Sequence, residues 1–248
     1  VLTLPTSFTV GIAPAGGAVI AEFPFELMDG GSYVVVATGL LGNDASPFDF
    51  ADTSTTFGAS SGDVVGLEVY HGSTDAPAVD VLADANDGSV LVPGLAYGSF
   101  SGYVEVPAAD YTLGVAPAGG NAIAAFTAPL SGLGGGSAVA FASGFLNAVD
   151  DQPAFGVFAA LTDGTVLELP SVEQDCADIW GGDAVVDECG ECNGDGIAEG
   201  TCDCDGTLPQ ENFDCDGNCI VDVDCAGECG GSAVVDCDGE CGGSAVVD

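Results

Sequence analysis

The chain has 248 residues and carries no Lys, no Arg, one His and 39 Asp plus Glu, for a formal net charge of −39. That length accommodates two domains of ordinary size. A surface without cations cannot displace the counterions of a nucleic acid, is repelled by anionic lipid headgroups, and has no clamp for a transferring phosphoryl group.

Because only 16% of residues are charged and Ala, Val and Gly dominate, the composition suits a compact extracellular polymer better than a halophilic surface. The missing Lys and Arg also remove every trypsin-type cleavage site. No apolar run approaches the ~20 residues of a membrane-spanning helix. Val1 and Asp248 both fall inside repeating patterns, which reads as a processed protein or a window onto a longer one.

Residues 1–170 hold a duplication. Leu2–Gly17 matches Val104–Gly120, and Ala18–Phe23 matches Asn121–Phe126, at an offset of 103 residues through most of the block. Ser32–Leu41 matches Ser137–Leu146 at an offset of 105. Phe8–Ile12 and Tyr111–Val115 alternate large apolar residues with Thr or Gly, the period-2 signature of a half-buried strand. The Ala-Pro-Ala-Gly-Gly runs at 13–17 and 116–120 supply tight turns. Further strands are expected at Tyr33–Thr38, Val64–Tyr70, Val79–Ala83, Tyr103–Val106, Ala138–Ser143, Phe155–Ala160 and Thr165–Leu169. No segment has helical periodicity. The expected fold class is all-β: two Ig-like antiparallel β-sandwich repeats, 1–63 and 64–170, followed by a disulfide-rich region of little regular structure, 171–248.

The second copy carries His71-Gly-Ser-Thr-Asp-Ala-Pro-Ala-Val-Asp-Val81, then Leu95–Gly98, Tyr103–Pro107 and Tyr111–Gly120. These stretches resemble the domain of unknown function numbered 4397, fully over about 66–170 and partly over 1–63. The resemblance implies a β-sandwich with an extracellular role in bacteria and brings no catalytic residues. The first copy has no counterpart of residues 66–102. Its missing strands would leave unpaired edges, to be filled from upstream chain or by strand addition from another subunit. Between the copies, the hydroxyl-rich Asp52–Ser61 reads as a polar connector, with an O-glycosylated stalk as the functional alternative.

His71 is the single histidine, with Ser73, Asp75 and Asp80 close in sequence. Asp75-Ala-Pro77 most simply forms an Asx-type turn, with a metal ligand or a catalytic group as weaker readings. One His, one Trp (Trp180) and no basic residue argue against an enzyme.

All 11 cysteines lie after residue 175: Cys176, Cys189, Cys192, Cys202, Cys204, Cys215, Cys219, Cys225, Cys229, Cys237 and Cys241. Cys225–Asp236 and Cys237–Asp248 are near-identical 12-residue units, and degenerate copies begin at Cys176 and Cys215. Such a period implies a stacked array. Variable spacing and the lack of His favour disulfides over zinc, and the odd total leaves one thiol free or bonded elsewhere. Asp203-Cys-Asp205-Gly, Asp214-Cys-Asp216-Gly and Asp236-Cys-Asp238-Gly, with Asn193-Gly-Asp195-Gly as a variant, resemble the opening of calcium loops without the closing Glu of an EF-hand. If each unit is one coil, Asp187, Asp222, Asp224 and Asp248 join these aspartates in rows of like charge that no Lys or Arg offsets. Bound calcium is the expected remedy.

The expected function is therefore a structural subunit of a secreted or cell-surface bacterial filament, rigidified by disulfides and Ca2+. Its partners would be its own copies, head-to-tail or by strand addition at the N-terminal repeat, and divalent cations, with no nucleic acid and no membrane insertion. The alternative is a calcium-dependent surface adhesin or ligand-binding module on a Cys-rich stalk.

Overall fold

A computed structural model describes residues 6–246. The chain forms two compact units, Val1–Glu173 and Gln174–Asp248. Fourteen strands and no α-helix are present among the described residues, so the all-β expectation holds.

The second copy builds the two-sheet core. One sheet has the order β14(Ser171–Val172)-β10(Ala124–Pro129)-β9(Asp110–Pro117)-β6(Val79–Leu82)-β7(Val90–Leu95). The other has the order β13(Val166–Glu168)-β12(Gly156–Leu161)-β11(Ser137–Ser143)-β5(Val64–His71)-β8(Val104–Pro107). Alternate residues of the facing strands meet in the middle: Val65, Leu67, Val106, Leu113, Phe126, Ala138 and Val157 are all buried. The sandwich departs from the antiparallel expectation at its centre. β5 and β11 run parallel, Leu67 beside Ala138 and Val69 beside Ala140.

The first copy is two separate hairpins. Among the described residues β1(Ser7–Ile12) pairs only with β2(Ala21–Glu26), and β3(Tyr33–Thr38) only with β4(Asp49–Ser54). Their registers repeat those of the second copy. β1 and β2 correspond to β9 and β10, β3 and β4 to β11 and β12, and the bridge Leu40↔Pro47 matches Phe145↔Ala154. Gly39 and Gly144 sit at the same corner with φ of 75° and 82°. A Cβ at either would overlap the carbonyl of Pro47 or Ala154, so the corner itself demands glycine.

Part of the expected connector is strand: Asp52, Thr53 and Ser54 lie in β4. Thr53 Oγ1 donates to Glu68 Oε1 at 2.8 Å, and the Thr38 hydroxyl lies 3.3 Å from that of Tyr97. These bonds lay the β3–β4 ribbon over the outward face of β5, which explains why every β5 residue from Val65 to His71 is buried. The domain edge falls at Glu173 rather than at residue 170, because Ser171–Val172 completes a sheet by pairing with Ala125 and Phe126.

Candidate functional site: an open-edged half-sandwich and an aspartate-anchored cystine repeat

The His71 motif is a set of loop staples. His71 Nε2 lies 2.9 Å from the carbonyl oxygen of Pro77, to which it must donate because a carbonyl only accepts. Asp75 accepts from the backbone N–H groups of Leu146 and Asn147, each at 2.8 Å, and Ser73 donates to it at 3.3 Å. Desolvation opposes the ionised form of Asp75, but these donors outweigh it and hold the carboxyl below its usual range. Asp80 accepts from Gly119 N–H at 2.7 Å and Gly94 N–H at 2.6 Å, which likewise lower its pKa. Three polar residues thus pin the 75–77, 119 and 146–147 loops and the β7 backbone at Gly94. Asp75 does lie in a turn, but the expected Asx turn is absent: Pro77 has no N–H to donate, and the carboxylate reaches across to the 146–147 backbone instead.

Glu68 was not legible as a special residue. It occupies an outward position of β5, where sequence pattern places solvent, yet it is 2% exposed under the β3–β4 ribbon. Burial raises its pKa and the Thr53 hydroxyl lowers it by less. Its Oε2 has no hydrogen-bond partner.

In the first copy the two hairpins meet over a small aromatic cluster that stays mostly half-buried. Phe8 stacks on Phe25 at 5.4 Å, and Phe50 meets Phe23 and Phe25 edge-on at 5.1 and 5.7 Å. Of these rings only Phe25 is buried, and Val35 on the same inward set of β3 is 39% exposed. The equivalents in the second copy, Phe126 and Ala140, are 5% and 7% exposed. The difference is that β6 and β5 lie beside β9 and β11, while β1 and β3 have no such neighbour among the described residues.

The cysteine region repeats one small device. In four units an aspartate Oδ1 accepts the N–H groups two and four residues on, while Oδ2 accepts the N–H nine residues on. For Asp187 the donors are Cys189, Glu191 and Gly196, at 2.9, 2.9 and 2.8 Å. For Asp224 they are Ala226, Glu228 and Ala233, and for Asp236 they are Asp238, Glu240 and Ala245, all within 3.1 Å. Asp175, not singled out from sequence, does the same with Ala177, Ile179 and Ala184. Asp203 and Asp214 keep part of the pattern through Thr207 and Asn218. Every anchor is held below the usual carboxylate pKa. The largest cause is the backbone N–H of Ile179, Glu191, Glu228 and Glu240 for Asp175, Asp187, Asp224 and Asp236, and the side chains of Thr207 and Asn218 for the other two. The glycine seven residues after the anchor, Gly231 after Asp224 for example, is required because a Cβ there would overlap Asp Oδ2. An isolated bridge closes the hairpin at every anchor but Asp203, as in Val223↔Cys229 and Val235↔Cys241.

Five disulfides link neighbouring units: Cys176–Cys192, Cys189–Cys204, Cys202–Cys215, Cys219–Cys229 and Cys225–Cys241. Cys237, expected among the bridged cysteines, is the exposed free thiol. It is the odd member of an odd set, and its sequence neighbour Asp236 is fully occupied as an anchor.

The predicted cation ligands fall into two groups. Asp187, Asp203, Asp214, Asp224 and Asp236 face inward on backbone N–H groups. Asp195, Asp205, Asp216, Asp222 and Asp238 accept no hydrogen bond of this kind, and Asp248 lies outside the described residues. Among the described residues no three acidic, Cys or His side chains converge as a metal cage. These residues do not fit a closed calcium loop. The anchors are short of lone pairs, and the outer set is dispersed along the repeat.

Residues 65–153 match the family described as Domain of unknown function (DUF4397). The match begins at β5 and stops before β12, so it covers the central strands and the His71 staples. Neither the curated proteins nor the solved structures give a match to the chain.

Proposed function

We propose that this chain is a structural subunit of an extracellular bacterial filament or fibril, joined through its N-terminal half-sandwich and made permanent by its cystine repeat. The observation that carries the reading is the half-buried aromatic cluster between two hairpins whose strands β1 and β3 each have one open edge among the described residues. Natural proteins protect such edges, and an added strand satisfies both the backbone groups and the apolar surface at once. The second copy supplies the pattern: an antiparallel strand beside β1, as β6 beside β9, and a parallel strand beside β3, as β5 beside β11. The five disulfides support an oxidising location such as the cell exterior. Divalent cations enter as shared counter-ions of the outer carboxylates, between turns or between molecules, instead of as ligands of one loop.

Assembly of the full chain, followed by light scattering and electron microscopy over a concentration series, tests this. Filaments or oligomers are expected, with amides of β1 and β3 slowing in hydrogen exchange as assembly proceeds. Val35→Lys, which places a charge on the open face, suppresses assembly while the 64–172 sandwich keeps its melting temperature. A chain that stays monomeric at all concentrations, with those amides already protected, would overturn the proposal.

A further inference from the structure

Side chains alternate between the two faces of a strand, so Val65, Leu67 and Val69 of β5 enter the core while Gly66, Glu68 and Tyr70 face outward. That outward face is roofed by the β3–β4 ribbon and the connector after it. The layer between them is short of hydrogen bonds. Glu68 Oε2, the Tyr103 hydroxyl and Ser137 Oγ are all buried without a partner. Ser137 lies beside Gly66 in the parallel pair, and a Cβ on Gly66 would overlap the Tyr103 hydroxyl, so the three share one seam. Across it, Thr53 Oγ1 on β4 donates to Glu68 Oε1 at 2.8 Å.

No cation meets the Glu68 carboxylate. The chain has no Lys or Arg, and His71 alternates to the opposite face of β5. Among the titratable groups on the seam, β4 contributes Asp49, on the same face as Thr53, and β5 contributes Tyr70. The neighbouring edge contributes Tyr103 and Glu105, the latter opposite Gly66 and holding Ser60. β3 and β11 contribute none, their facing residues being Val34, Val36 and Thr38, and Ser137, Val139 and Phe141. Burying a charge without a counter-charge is far costlier than burying the neutral acid, and burial accordingly raises the Glu68 pKa. The ribbon that roofs it is a two-stranded hairpin, an element marginal in water by itself. Its seat on β5 therefore bears on whether it stays folded.

We infer that Glu68 is a proton-operated latch for the β3–β4 ribbon: the neutral acid holds the ribbon down on β5, and the ionised one lets it lift. Phe50 on the reverse face of β4 belongs to the aromatic cluster of the first copy, so lifting the ribbon also opens that cluster. The latch operates within one chain and does not depend on strand addition at β1 or β3.

Hydrogen exchange by NMR on the full chain, corrected for the intrinsic pH dependence, tests it between pH 4.5 and 8. A carboxyl raised on folding stabilises the closed ribbon below its ordinary value of 4.5 and loses that contribution as pH rises through the closed-state value. Protection of the paired β3 and β4 amides is thus expected to fall by up to about tenfold per pH unit, the limit for one linked proton, until Glu68 is ionised. Throughout, these amides exchange faster than those of Leu113 and Phe126 in the β9–β10 pair. In Glu68→Gln the ribbon stays protected at all pH values. Thr53→Val loses more protection at pH 8 than at pH 4.5, because a hydrogen bond to a charged group is the stronger one. Three results would each overturn the latch: ribbon protection that does not change with pH, a pH dependence that persists in Glu68→Gln, or ribbon amides that exchange only as fast as Leu113 and Phe126, so that the ribbon opens only with the whole sandwich.

Discussion

Loss of the Cys225–Cys241 disulfide isolates what holds the repeat together. The bond closes a loop of 16 residues, and chain-entropy arguments give about 3 kcal/mol for a loop near that length. Within the loop the last unit keeps only short-range bonds: Asp236 N–H to Glu240 O at 3.0 Å, Gly242 N–H to Val234 O at 2.9 Å, and the contacts of the Asp236 carboxylate. A one-dimensional array transmits stability only to its neighbours, so the effect belongs to residues 224–245. The double variant Cys225→Ala/Cys241→Ala is therefore expected to lose up to about 150-fold in hydrogen-exchange protection at the Asp236 and Gly242 amides, the equivalent of 3 kcal/mol. The Asp187 and Asn193 amides lie in a unit fastened by Cys176–Cys192 and Cys189–Cys204 and keep theirs. Residue-resolved exchange by NMR makes the comparison. Unchanged protection at 236 and 242, or an equal loss at 187 and 193, would refute the local-loop account in favour of a repeat that opens as one body.

Glu68→Gln raises thermal stability at pH 7, because burial lifts the Glu68 pKa and the Thr53 hydroxyl can still donate to the amide oxygen. A carboxyl raised on folding stabilises below its unfolded value and loses that contribution as pH rises through the folded one. The advantage of the variant thus vanishes below about pH 4.5, the ordinary value, and a melting series from pH 3.5 to 8 with a constant difference would contradict it. Gly231→Ala drives a Cβ into Asp224 Oδ2 and should speed exchange of the Ala233 amide by about tenfold, the scale of one lost hydrogen bond; equal exchange in both proteins would mean that the anchor tolerates displacement. Native chain treated with iodoacetamide takes one adduct, at Cys237, and peptide mapping that found several would break the five-disulfide pairing.

The duplication and the 12-residue unit were legible because repeats need no knowledge of contacts. The offsets between copies reappear as matching registers and matching Gly39 and Gly144 corners. Strands β2, β7 and β10 were not expected, and each contains proline: Pro24, Pro93 and Pro129. In β2 and β7 the explanation is position, since each has one sheet neighbour and an edge strand can lack a ladder donor. β4 hid behind a polar sequence, Asp49-Phe-Ala-Asp-Thr-Ser54, whose two faces meet the aromatic cluster and Glu68. The parallel β5–β11 pair joins residues about 70 apart, which no local pattern reports. At the repeat, Asp-x-Asp-Gly spells the start of a cation loop and equally a turn that caps its own backbone N–H groups. Only the placement of Ala233 or Gly196 beside Oδ2 separates the two.

That ambiguity bears on how a chain without Lys or Arg compensates its carboxylates at all. Asp75, Asp80 and Asp110 in the sandwich, and Asp175, Asp187, Asp224 and Asp236 in the repeat, each accept backbone N–H bonds and each has a lowered pKa. The backbone takes the part that ion pairs play elsewhere. An N–H donor is neutral and lies within 3.1 Å, well inside the Debye length of about 8 Å at physiological ionic strength, so added salt screens little of the interaction. The vulnerability lies with acid instead. A carboxyl lowered on folding stabilises above its unfolded value, 3.8 for these aspartates, and the contribution is lost as pH falls through the folded one. Many anchors share that direction, so their losses coincide, and both units loosen in the same acidic window. The divalent cations of the proposed filament would accordingly serve only the outer carboxylates, which accept no such backbone bonds.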